Sequence, residues 1–169
     1  MGFLALIKTD LKQKQRVYAE DGARVSIPRL FLNDGTSANV LFRLSNACSR
    51  ILILKPASLL FHILNKWFNG CVIGVNATFD EGLVIMHPVG VVINSKVRGG
   101  KGIIIESGVV IGDEKGKSPI LGDNVFIGAG AKIIGNVIVG NNVKIGANAV
   151  VVKDIPDDST ALGIPAKAR

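Results

Sequence analysis

Aromatic residues make up only 5% of this 169-residue chain, and Cys, Met and His occur twice each, with one Trp and one Tyr. So few rings leave no material for an aromatic-centred core. Cys48 and Cys71 lack metal-ligand spacing and are too few for a disulfide framework, which points to a reducing compartment. His62 and His87 are the only histidines, too few for a three-histidine zinc site, so no metal is expected. No apolar run approaches the roughly 18 residues that cross a bilayer. Lys8 and Asp10 interrupt the N-terminus before a signal-peptide core can form, and a cytoplasmic protein is expected.

The chain does hold 20 glycines and an apolar fraction dominated by Ile, Val, Leu and Ala, a composition that favours β-branched stacking. Its net charge of +7 is uneven: residues 1–70 carry ten Lys/Arg against four Asp/Glu, and residues 71–169 carry ten against nine. With no basic run and no aromatic interleaving, nucleic acid is not an expected partner. The length fits one domain with a short extra segment.

From Ile73 onward, apolar residues recur at every sixth position: Ile73, Phe79, Ile85, Val91, Val97, Ile103 and Val109, then Leu121, Ile127, Ile133, Val139, Ile145 and Val151. Neither a helix nor a simple strand gives this period. In the later hexads a second apolar residue follows four places on, at Val125, Ala131, Val137, Val143, Ala149 and Ile155. Glycine and asparagine fill intervening positions such as Gly122, Gly128, Gly146, Asn124, Asn142 and Asn148, where tight corners are needed. Three hexads would close a coil of about 18 residues, and stacked coils make a parallel β-helix of hexapeptide repeats. The polar stretch from Asp113 to Pro119 interrupts the repeat and is expected to be an extruded loop. Its Gly-Lys-Ser is not a phosphate loop, because Gly112 lies one residue too close to Gly116.

Residues 1–70 are expected to form a helical segment and residues 71–169 the β-helix with its C-terminal tail. The pattern predicts a short helix from Phe3 to Ala19, a turn-rich linker around Asn33-Asp34-Gly35, and helix from Ser37 to Asn69 that Pro56 should break in two. No acidic residue occurs between Asp34 and Asp80, so residues 37–69 could touch an anionic membrane surface. Capping the open end of the β-helix, or packing between subunits, is the favoured role.

Acyl transfer to a hydroxyl needs a base, and histidine suits that task near neutral pH. His62 falls in the apolar helix, where packing or capping is expected. His87 lies inside the repeat, two places after an inward residue, and should project from a corner.

The segments Met86-His87-Pro88-Val89-Gly90, Ile127-Gly128-Ala129-Gly130-Ala131, Ile145-Gly146-Ala147-Asn148-Ala149 and Gly163-Ile164-Pro165-Ala166-Lys167 together resemble the serine acetyltransferase branch of hexapeptide-repeat transferases. The resemblance implies a mainly β fold, a left-handed parallel β-helix preceded by a short α-helical N-terminal segment. It also implies a homotrimer with active sites between subunits, His87 as general base and acetyl-CoA as co-substrate. Ala129, Gly130, Ala147, Gly163, Ala166 and Lys167 would border the coenzyme, with Lys167 and Arg169 near its phosphates.

The chain departs from that family on the acceptor side. Met86 replaces the carboxylate that precedes the catalytic histidine, and Lys117-Ser118 replaces an arginine-histidine pair in a longer loop. These three positions are the expected substrate contacts. Val72 stands where a carboxylate would orient the base, which leaves its partner open, with Asp80 or Glu81 as substitutes. The retained base and altered acceptor contacts imply an O-acetyltransferase acting on a sugar or glycan precursor of capsule or lipopolysaccharide type. A free-serine enzyme and a non-catalytic β-helix scaffold are the alternatives. A β-helix carbonic anhydrase is excluded by its histidine requirement.

Overall fold

The computed structural model describes residues 2–169. Four helices precede the repeat: α1 (Phe3–Glu20), α2 (Ile27–Leu30), α3 (Thr36–Ser49) and α4 (Lys55–Asn69), with a 3-10 turn at Leu52–Leu54 before the last. Pro56 therefore does not interrupt a helix. It occupies the first turn of α4, where its missing N–H is not needed.

The β-helix has three faces of short parallel strands. One runs Val72–Ile73, Val92–Ile93, Val110–Gly112, Lys132–Ile134 and Val150–Val151. The second runs Thr78–Phe79, Arg98–Gly99, Ile120–Leu121 and Ile138–Val139. The third runs Val84–Ile85, Ile104–Ile105, Phe126–Ile127, Lys144–Ile145 and Thr160–Leu162, and the tail strand Lys167–Ala168 closes it antiparallel. One residue of each pair points inward, which explains the period: each face contributes one inward rung per coil, and rungs stack in columns such as the β-branched series Ile73, Ile93, Ile111, Ile133 and Val151. All five are buried.

The register differs from the unbroken sixfold reading. Ile73 pairs with Ile93, and Ile85 with Ile105, so the first coil spans twenty residues, whereas Ile127 pairs with Ile145 eighteen residues on. Two residues are therefore inserted at the corner Met86–Gly90. After it, Val91, Val97, Ile103 and Val109 occupy the second inward position of their hexads, and Ile93, Gly99, Ile105 and Ile111 hold the strand position. Apart from the half-buried Gly99, the residues at both positions are buried, so apolar spacing alone could not separate them. The coil from Ile105 to Ile127 is twenty-two residues long, because Asp113 to Pro119 leaves the corner as a small hairpin closed between Glu114 and Lys117.

The helical segment seals the open first coil. Phe42 meets Phe79 edge-on at 6.0 Å, and Asn46 Nδ2 donates to the carbonyls of Val75 and Ala77 at 2.9 Å each. His62 caps as well, with Nδ1 3.2 Å from the Ile73 carbonyl. A buried polar cluster then fixes the register between helices and coil. Asp10 pairs with Arg43 at 2.8 Å and accepts from the backbone N–H of Gly82 and Leu83 at 2.9 and 3.0 Å. Arg43 also donates to the Phe79 and Asp80 carbonyls, both at 2.6 Å. Burial pushes the Asp10 carboxyl up, against the opposing pull of Arg43 and the two N–H groups.

Helix α4 is inverted relative to an ordinary amphipathic helix. Its buried positions are Ser58, Asn65 and Asn69, bonded to α3 through Ser45, the Ala38 carbonyl and Ser37, whereas Leu59, Leu60, Trp67 and Phe68 are exposed. Small polar side chains allow the close α3–α4 approach, so this packing does not use the apolar face.

Candidate active site

His87 stands on the enlarged corner. Pro88 and the left-handed Gly90 (φ 76°) turn the chain, and the two extra residues carry the imidazole outward, leaving its side chain 56% exposed. It borders a cavity of about 370 Å³ whose walls include Phe31, Leu32, Asp34, Phe68, Asn69 and Val89. Thus the pocket lies where the α2–α3 linker and the end of α4 meet the coil corner.

Asp34 is the carboxylate beside His87: its Oδ2 lies 3.5 Å from His87 Nδ1. The two substitutes expected from the sequence lie elsewhere. Glu81 pairs with Lys101 at 3.2 Å, and Asp80 follows the Phe79 strand at a different corner. The linker that brings Asp34 to His87 is held by two contacts. Gly35 adopts φ 76° and lies so close to the coil that a Cβ there would overlap the Ile85 carbonyl. Lys14, on α1 and almost fully buried, donates to the Asp34 carbonyl, to Thr36 Oγ1 at 3.2 Å and to the Ile85 carbonyl at 3.2 Å. Burial pushes the Lys14 amine down to about 8, against the pull of Asp34 and Glu106. Asn39 adds a second tie, donating to the Leu83 carbonyl at 2.6 Å and accepting from Ile85 N–H at 3.2 Å. None of Lys14, Asp34 or Gly35 carried a functional signal in the sequence, where Asn33-Asp34-Gly35 looked like a turn.

The expected coenzyme residues share one edge of the prism with His87. Along that edge Gly108 N–H donates to the Val89 carbonyl at 2.9 Å, Gly130 N–H to Ser107 at 2.7 Å and Asn148 N–H to Ala129 at 2.8 Å. At about 4.8 Å per coil, Val89 and Ala147 are about 14 Å apart along the axis. The tail continues the line, with Val150 N–H bonded to the Gly163 carbonyl at 3.0 Å and Ala166 N–H to the Val150 carbonyl at 2.8 Å. Gly130 needs its missing side chain twice, for φ 72° and because a Cβ would strike Asn148 Oδ1. A strip of small residues thus leads away from His87, with Lys167 exposed at its far end.

The expected acceptor contacts are not gathered around His87 within one chain. Met86 is buried, 7% exposed, and does not line the cavity. Lys117 and Ser118 belong to the extruded hairpin, where Ser118 Oγ bonds Asn94 Oδ1 at 3.3 Å and Asp113 Oδ2 at 3.4 Å. Among the described residues there is no cluster of three or more His, Cys, Asp or Glu that could hold a metal, and no helix is long and apolar enough to cross a membrane.

Residues 118–153 match the bacterial transferase hexapeptide (six repeats) family. The serine acetyltransferase of Helicobacter pylori strain J99 is 40% identical over 158 residues, 90% of this chain and 92% of that protein. The serine acetyltransferase of a Synechocystis species is 39% identical over 152 residues, 88% of this chain, but the match spans only 61% of that longer relative. Among solved structures, soybean serine acetyltransferase complexed with serine superposes with a TM-score of 0.89 at 30% identity, over 99% of this chain and 69% of that one. A serine acetyltransferase in complex with CoA superposes with a TM-score of 0.88 at 27% identity, over 99% and 69% of the two chains. These findings overturn the sugar or polysaccharide acceptor expected from the sequence. That expectation rested on single-residue departures at Met86 and Lys117-Ser118, whereas the likeness to serine acetyltransferases extends through the helical segment and the whole β-helix. The chain belongs to the serine acetyltransferase family of hexapeptide-repeat transferases.

Proposed function

We propose that the protein transfers the acetyl group of acetyl-CoA to the side-chain hydroxyl of serine, giving O-acetylserine and free CoA in the cytoplasm. The observation that supports this most is the 40% identity to a serine acetyltransferase over 92% of its length, joined to a histidine that faces a cavity at the head of a small-residue edge.

The chemistry follows from that arrangement. With Nδ1 turned to Asp34, His87 offers Nε2 to the hydroxyl and takes its proton as the oxygen attacks the thioester carbonyl. The tetrahedral oxyanion collapses, the C–S bond breaks, and the proton held by His87 passes to the departing thiolate. The edge from Val89 through Ala129, Gly130 and Ala147 to Gly163 and Ala166 gives the pantetheine arm a path free of large side chains. Lys167 and Arg169 supply positive charge at its phosphate end.

A homotrimer is part of the same reading. Val89, Val92, Ile120, Phe126 and Ile138 stand exposed on the outside of the β-helix, spread over its three faces, and subunit packing would cover the part of them that faces a neighbour. A neighbouring subunit would also bring side chains to the acceptor pocket, which Met86, Lys117 and Ser118 do not line in a single chain.

The test is thiol release from acetyl-CoA with serine, with other hydroxyl compounds as controls, by wild type and His87→Ala. Serine-dependent release that His87→Ala reduces by ~100-fold or more supports the reading. No serine-dependent release from a folded, CoA-binding protein overturns it.

A further inference from the structure

We propose that Asp34, supplied by the helical segment, is the positioning residue of His87, replacing the carboxylate that a coil residue at position 72 would provide. The inference rests on the acyl-transfer role of His87 given above, and it concerns which element orients the base.

Three observations carry it. Asp34 Oδ2 is 3.5 Å from His87 Nδ1, and no other carboxylate pairs with His87 among the described residues. Position 72 holds valine, whose side chain can neither accept a proton nor hold a ring. The linker bearing Asp34 is also built for close approach: Gly35 packs its backbone on Ile85 and Met86, and buried Lys14 binds the carbonyls of Asp34 and Ile85 together. Lys14 thus ties together the backbones on which acid and base are mounted, two residues before His87 on the coil side.

The consequence is a choice of tautomer. A carboxylate facing Nδ1 places the proton of the neutral imidazole on Nδ1 and leaves the Nε2 lone pair for the acceptor hydroxyl. Without that carboxylate the ring is free to rotate and to carry its proton on Nε2, the form that cannot act as base at that atom. The proton taken from the hydroxyl resides on His87 in the intermediate, where Asp34 faces the resulting imidazolium, and leaves with the CoA thiol.

The test combines kinetics with a measurement that needs no acceptor. In Asp34→Ala, kcat for serine-dependent thiol release should fall about 10- to 100-fold, while KM for acetyl-CoA and the thermal shift given by CoA stay within twofold of wild type. Nitrogen NMR of 15N-histidine-labelled protein, with His62→Gln used to assign the two rings, should show neutral His87 as the Nδ1–H form in wild type. In Asp34→Ala it should show a gain of the Nε2–H form. Wild-type His87 in the Nε2–H form, or an Asp34→Ala enzyme with unchanged tautomer and kcat, overturns the proposal. If serine-dependent turnover is absent in wild type, the acceptor reading fails, but the tautomer change still decides the role of Asp34.

Discussion

The buried amine of Lys14 should write its own signature into the pH dependence of stability. Its proton is held with an affinity near pH 8 in the folded chain against 10.5 when exposed, because burial disfavours the charged form. Below pH 8 both folded and unfolded chains carry the proton, and the folded state bears the full penalty of a buried ammonium. Between pH 8 and 10.5 the unfolded chain retains the proton and the folded chain does not, so stability rises with pH. Above 10.5 both are neutral and the rise ends. At roughly 1.4 kcal/mol per pH unit of affinity change, the whole rise is about 3 kcal/mol. Cys71 acts in the opposite sense, since burial pushes its thiol from 9.0 up to about 12 and stability falls as the unfolded thiol ionises above pH 9. The comparison is therefore made in a Cys71→Ala background, with and without Lys14→Met. Urea unfolding at fixed protein concentration and pH 7, 8, 9 and 10 should show the gap between the two proteins moving in favour of the lysine form by ~2 kcal/mol or more. Two profiles that stay parallel from pH 7 to 10 refute a buried, proton-reluctant Lys14.

Gly35→Ala should destabilise the fold by ~2 kcal/mol or more and lower turnover as well, since the new methyl both strains a left-handed residue and displaces the Asp34 linker from Ile85; thermal unfolding and thiol release read the two effects. Arg43→Ala leaves Asp10 buried without its partner and should cost about 3–5 kcal/mol, measured by urea unfolding. Ile127→Ala removes a rung in the middle of its column and should cost ~2–5 kcal/mol in the same assay, with the coil pattern preserved in the far-ultraviolet spectrum.

How much of this was legible beforehand can be followed residue by residue. The stacking of Leu121 to Ile155 follows from spacing alone, because each rung repeats the same local requirement for a branched inward side chain and a tight corner. His87 stood out for a similar reason: a proline-bounded histidine interrupts a run of apolar and glycine positions. The two-residue enlargement of its corner was hidden, since Val91 and Ile93 are both apolar and both buried, and only strand pairing distinguishes them. The partner of His87 stays open in the sequence: Asp80 and Glu81 are near it along the chain, but each coil turns through three faces, and those residues end at another corner.

The sequence by itself determined the β-helix, its small-residue edge and the histidine that heads it, because a repeat architecture makes local pattern and global packing the same thing. Tertiary structure alone decided that a linker more than fifty residues before His87 would bring Asp34 to it, and that α1 and α3 would clamp the first coil through Asp10, Lys14, Asn39 and Arg43. Those contacts join segments with no shared periodicity, and their polar groups gain their meaning only when burial removes water and leaves each donor dependent on one acceptor.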